Sequence, residues 1–140
     1  LCKPGRGRSR FEGGNIVVFG DESFFSSRLR RFLKEEATRI LASVAAEKMA
    51  VIGRAAGRVR VIDPKTRWGS CSRSGGLMFS WRLILMPPFV LDYIVAHEVA
   101  HCIHMNHSKK FWALCHELAV DARQARLWLK QNGAAVMGWR

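Results

Sequence analysis

The run His97-Glu98-Val99-Ala100-His101-Cys102-Ile103-His104-Met105-Asn106-His107 decides how this chain is read. His97 and His101 are four apart. On an α-helix that is about 40° of rotation and about 6 Å of rise, so both imidazoles leave one face. Two stacked imidazoles are a pair of zinc ligands. Glu98, beside the first, is placed to hold and deprotonate a water at the metal. A third ligand is still needed, and three residues compete for it. His107 closes the site if the chain turns after the helix, and Met105-Asn106 suits a turn because Asn accepts a left-handed backbone. His104 keeps the helical face if the helix runs on, but its Cα then lies about 10 Å along the axis from that of His97. Glu117 is the acidic alternative, at roughly the downstream position of the third ligand in thermolysin-like enzymes. Two ligands on a helix, a third beyond it and an open fourth position describe a catalytic rather than a sealed metal site.

Working outward, Pro87-Pro88 opens the helix, where proline is tolerated in the first turn. Val90, Leu91, Ile94, Val95 and Val99 send it into a core. Imidazoles and a carboxylate in so apolar a helix are costly unless they bind something. Downstream, Phe111–Ala119 and Ala122–Gln131 read as helices, the second stopped by Gly133. Ser108, Phe111 and Trp112, with Asn106, are placed to pin the turn that carries His107. Upstream, Asn15–Phe19 reads as a strand, and Asp21 or Ser23 caps a helix that runs to about Met49. Gly53 and Gly57 then bracket a turn. Arg58–Ile62 alternates polar and apolar as a half-buried strand does. After a turn at Ser74-Gly75-Gly76, Leu77–Trp81 is expected to return antiparallel to it, bordering the cleft and pairing with an extended substrate.

Between these strands lies Thr66-Arg67-Trp68-Gly69-Ser70-Cys71. Arg67 or a backbone N–H there could stabilise an oxyanion opposite the metal, with Ser70 as a further substrate contact. The plainer alternative is a packed connection whose Trp68 plugs the core. Cys71 reads as a small buried thiol.

The chain has 140 residues, nearly half of them apolar, which suffices for one domain with its own core. Residues 1–14 are Arg- and Gly-rich and read as a basic flexible arm; residues 15–140 read as a single domain. No apolar run reaches 18 residues, so no membrane span is expected. Residues 1–14 do not look like a secretory leader, and a cytoplasmic setting is expected. The four cysteines form no Cys-x-x-Cys pair, which argues against a zinc ribbon or a thioredoxin motif and for reduced thiols. The net charge of +12 attracts nucleotides, nucleic acid or acidic proteins, or it is simply a basic surface.

Three functions stay open on the residues alone. One is metal-dependent peptide hydrolysis. Another is attack on a nucleoside triphosphate phosphoanhydride, with Arg67, Arg73 or Arg82 neutralising phosphates. The third is a zinc-stabilised adaptor on nucleic acid, against which Glu98 speaks, since a structural site has no need of that carboxylate.

Thr66-Arg-Trp-Gly-Ser-Cys71, Ser80-Trp-Arg-Leu-Ile84, Pro88, Leu91-Asp-Tyr93, His97-Glu-Val-Ala-His101 and Asn106-His-Ser-Lys-Lys-Phe-Trp112, in this order, resemble the YgjP-like metallopeptidase family over about residues 23–132. That family is related to the SprT-like and WLM zincins. The resemblance implies an α+β, compact zincin-like domain: a small antiparallel or mixed sheet packed on an active-site helix and supporting helices. It implies His97, His101 and His107 as ligands to one Zn2+ or another divalent ion, Glu98 as general base, and a peptide or protein substrate. It also implies a longer β-rich N-terminal part, of which residues 1–14 would be a remnant.

Overall fold

A computed structural model describes residues 2–3, 10–12, 15–19, 25–55 and 57–138. The chain divides into two compact units, residues 1–36 and 37–140, with the boundary inside the first helix. In the first unit, β1 (Cys2–Lys3), β2 (Arg10–Glu12) and β3 (Asn15–Phe19) form a sheet in the order β1-β3-β2. β1 runs parallel to β3 and β2 antiparallel. Helix α1 (Phe25–Val51) begins there and ends in the second unit. Asp21 and Ser23, the expected caps, lie outside the described residues. The helix ends where Gly53 adopts a φ of 73°, with Gly53 N–H donating to the Ala50 carbonyl and Arg54 N–H to that of Met49. This paired termination needs a left-handed residue, which glycine provides at little cost.

The second unit holds β4 (Val59–Ile62), β5 (Gly69–Cys71) and β6 (Leu77–Ser80), then a 3-10 helix (Trp81–Leu85), α2 (Pro88–Ala100), α3 (Lys109–Leu118) and α4 (Ala122–Met137). The sheet order is β4-β6-β5, so β6 is central. β4 pairs with it in parallel, Val61 beside Phe79, and β5 antiparallel, Ser70 beside Met78. The antiparallel pairing expected between 58–62 and 77–81 is therefore corrected. The residues from Asp63 to Gly76 form a crossover long enough for parallel strands, and the reversal is made by β5 instead. As the central strand, β6 has both neighbours filled and is not the edge that an extended substrate could join.

α2 is apolar nearly all round, as a helix enclosed by other elements must be. It packs on β5, α3, α4 and the 3-10 helix. Val90, Val95 and Val99 are completely buried. The 3-10 helix is capped by Ser80, whose hydroxyl accepts from Arg82 N–H at 3.2 Å. Trp81 thus starts this turn rather than ending β6. Arg82 is itself buried, paired with Asp63 and set over the Trp81 ring. That burial removes it from the arginines that could meet a phosphate. Gly133 does not stop α4 but lies buried inside it. The helix continues because tertiary packing outweighs the cost of an internal glycine, about 1 kcal/mol. Among the described residues no helix is long and apolar enough to cross a membrane.

One buried charge pair ties three helices together. Lys48 of α1 meets Asp92 of α2 at 2.7 Å and donates to the Leu118 carbonyl of α3 at 2.6 Å. The other Asp92 oxygen accepts from Val120 N–H at 2.7 Å. Removing one partner of such a pair strands the other charge. Lys48→Ala is therefore expected to lower unfolding stability by about 3–5 kcal/mol, read from the urea midpoint.

Candidate metal centre

The site is built on α2 and on the segment beyond its end. Tyr93, His97 and His101 follow one another at four-residue steps along one helical face, and Glu98 is turned further inward and buried. After Ala100 the chain tightens. Cys102 N–H bonds to the Val99 carbonyl, and Ile103 and His104 N–H both bond to that of Ala100. The segment then bends at Met105-Asn106 and enters α3 through Ser108, whose hydroxyl accepts from Phe111 N–H at 3.2 Å. No non-glycine residue among those described has a positive φ. Asn106 therefore makes the bend without the left-handed backbone expected of it. The tightened last turn of α2 supplies the reversal.

This reversal brings three imidazoles together. His97, His101 and His107 each offer a ring nitrogen, and these lie within 4.8 Å of one another. His101 Nε2 and His107 Nε2 are 3.1 Å apart. Two nitrogens on one tetrahedral zinc stand about 3.3 Å apart, so the donor set suits that ion. The other nitrogen of His101, Nδ1, lies 3.1 Å from the His104 carbonyl oxygen. An N–H there would leave Nε2 with its lone pair toward the cluster. His104 thus meets the site through its backbone; its side chain and that of Glu117 stay out of the cluster.

Aromatic rings hold the group from behind. Phe111, fully buried, stacks on His101 with centroids 4.4 Å apart. Trp112 stacks on His107 at 5.7 Å, and Arg126 lies over the Trp112 ring. Phe111, expected with Ser108 and Trp112 to pin the turn that carries His107, sets its ring against both His101 and His107. Partial desolvation, and then the neighbouring His101 and His97, hold His107 below the ordinary imidazole pKa, although its side chain is largely exposed. The neutral form, which a metal ligand must be, is favoured accordingly.

Beside the imidazoles is a cavity of about 280 Å³ lined by Arg67, Trp68, Gly69, Tyr93, His97 and Glu98, among others. Glu98 Oε2 lies 3.0 Å from His97 Nδ1. Burial pushes the Tyr93 phenol up to about 12, so it stays a proton donor at neutral pH. Trp68 is half-buried along this cavity, not a plug of the core. Ser70 does not line the cavity. It lies on a neighbouring groove with Arg58, Arg60 and Arg67, as the alternation of β5 requires. Arg73 is exposed in the turn before β6.

Gly69 is where the sheet meets Glu98. A Cβ there would stand 3.0 Å from Glu98 Cγ, the Met78 carbonyl oxygen and Phe79 Cδ1. The backbone oxygen cannot swing aside, so the glycine is needed for close approach. Gly69→Ala is expected to cost about 1–3 kcal/mol and to displace Glu98, lowering turnover while metal content stays unchanged. Thermal unfolding and metal analysis of one preparation check both parts.

The thiols of Cys71, on β5, and Cys102, just past α2, lie 3.3 Å apart. The hydrogen bond between them lowers Cys102 to about 7 and raises Cys71. Cys71 is only half-buried, not the enclosed thiol expected.

An α+β unit whose enclosed helix presents converging imidazoles beside a carboxylate has the architecture of a metallopeptidase domain. The crystal structure of the metallopeptidase zymogen of Pyrococcus abyssi abylysin shares the fold, with a TM-score of 0.55 at 19% identity over 64% of this chain and 93% of that one. The chain belongs to the YgjP-like metallopeptidase family: the model of the YgjP-like metallopeptidase domain matches residues 11–132. No curated protein matches it.

Proposed function

We propose that this protein is a zinc-dependent peptidase in which His97, His101 and His107 hold one ion and Glu98 is the general base. The observation that carries the reading is the convergence of three imidazole nitrogens within 4.8 Å beside a buried carboxylate on the same helix. Zinc held there would supply Lewis-acid polarisation of a carbonyl and would make water a stronger acid near neutral pH. Glu98 takes the proton of the attacking water and delivers it to the leaving amine. Arg67, exposed at the cavity rim, and the protonated Tyr93 phenol are donors for the oxygen on which charge develops. An extended substrate pairs with β5, an edge strand whose Gly69 lies against Glu98. Asn106, Ser108 and Trp112 hold the segment that carries His107.

Zinc-loaded protein is expected to release new amines from a casein digest and no pyrophosphate from nucleoside triphosphates. Fluorescamine labelling and a pyrophosphate assay, run side by side, check this. Pyrophosphate without amines would transfer the same residues to phosphoanhydride hydrolysis.

A further inference from the structure

We propose that Cys71 and Cys102 are a covalent modification site: a pair of thiols that closes reversibly into a disulfide and, in closing, moves Glu98. The two sulfurs are already 3.3 Å apart, although the residues are 31 positions apart in the chain. Neither residue is fully buried, so a small oxidant can reach them. Cys115, the other free cysteine described in this unit, is completely buried in the core. The pair is thus chemically distinct from its surroundings by both proximity and access.

Their position joins the pair to the catalytic carboxylate. Cys71 ends β5, two residues from Gly69, which touches Glu98 with no space to spare. Cys102 follows the last turn of α2, its sulfur directed toward the Glu98 carbonyl at 3.9 Å. The Cys102 carbonyl is held by Arg54 at 2.7 Å, which fixes the helix end from the other side. Bond formation brings the sulfurs from thiol contact to about 2.0 Å, and whatever part of that closure side-chain rotation does not supply draws β5 and the end of α2 together. That strain falls on the Gly69–Glu98 contact, where the sheet cannot yield without moving the carboxylate.

The oxidant is a hydroperoxide. One thiol, as thiolate, attacks a peroxide oxygen, breaks the O–O bond and becomes a sulfenic acid. The second thiol displaces its hydroxyl, forming the S–S bond. The two thiols lose two electrons and two protons, and hydrogen peroxide becomes two waters. A small dithiol reverses the reaction by exchange.

The coupling to turnover rests on the peptidase reading, but the bond does not, and the test reads them separately. Zinc-loaded full-length protein is treated with a small excess of hydrogen peroxide. Peptides are then mapped without reduction, and zinc and amine release are measured on the same sample. The expected result is a Cys71–Cys102 linked peptide, Cys115 still open to alkylation after unfolding, zinc retained, and at least a tenfold fall in turnover restored by dithiothreitol. Cys71→Ser and Cys102→Ser should each keep their turnover under peroxide. Absence of the linked peptide overturns the site, whether or not the protein is a peptidase. A linked peptide with unchanged turnover overturns the coupling to Glu98. If the reduced protein has no peptidase activity, the linked peptide, lost on dithiothreitol treatment and absent in Cys71→Ser, carries the site alone.

Discussion

Replacing Glu98 by glutamine is expected to leave one zinc per chain and to lower turnover by about 10²- to 10⁴-fold, the range that a positioned general base contributes. Glutamine keeps the length and shape of the side chain, so the contact with Gly69 and the packing of the buried group survive. Its amide cannot take a proton from water or return one to an amine. The three imidazoles are untouched, so metal content stays where it was. Elemental analysis and single-turnover assays on the same preparation separate binding from chemistry. An unchanged rate with bound zinc would sink the assignment of the base.

His107→Ala is expected to weaken metal binding far more than His104→Ala or Glu117→Ala. It takes one of three nitrogens that stand within 4.8 Å of one another, and a site of two imidazoles binds zinc far more weakly. The fall should exceed the 10- to 100-fold that loss of an outer partner typically brings. His104→Ala should retain zinc, because the carbonyl that faces His101 Nδ1 belongs to the backbone and survives the substitution. Glu117→Ala should also retain it, since that carboxylate is exposed on α3 and outside the cluster. Chelator competition on the three variants ranks them. Loss of metal in His104→Ala alone would place the third ligand elsewhere.

The helical half of the site was legible because its signal is local. A four-residue step puts His97 and His101 on one face whatever surrounds the helix, and the apolar residues around them announced burial. The turn that returns His107 was legible in outcome but not in cause. It arises from hydrogen bonds of Cys102, Ile103 and His104 to the end of α2, not from a left-handed Asn106. The sheet was less legible. Gly69-Ser70-Cys71 has no β-branched or aromatic residue, so β5 carries no strand signal of its own and exists through its pairing with β6. Without β5, the two stronger strands are expected to pair directly with each other, antiparallel. The closeness of Gly69 to Glu98, the Lys48–Asp92 pair and the helical Gly133 depend on contacts between distant segments, which no local pattern records.

The carbonyl of His104 faces His101 from the main chain, and this bears on how the sequence can drift. A group that every amino acid carries cannot be mutated away. Position 104 can therefore wander through evolution without loosening the orientation of the His101 ring. Only proline is barred, because the amide of residue 104 also bonds back to Ala100. Distant kin are then expected to keep the three converging imidazoles while differing at a histidine that an alignment would tempt one to count with them.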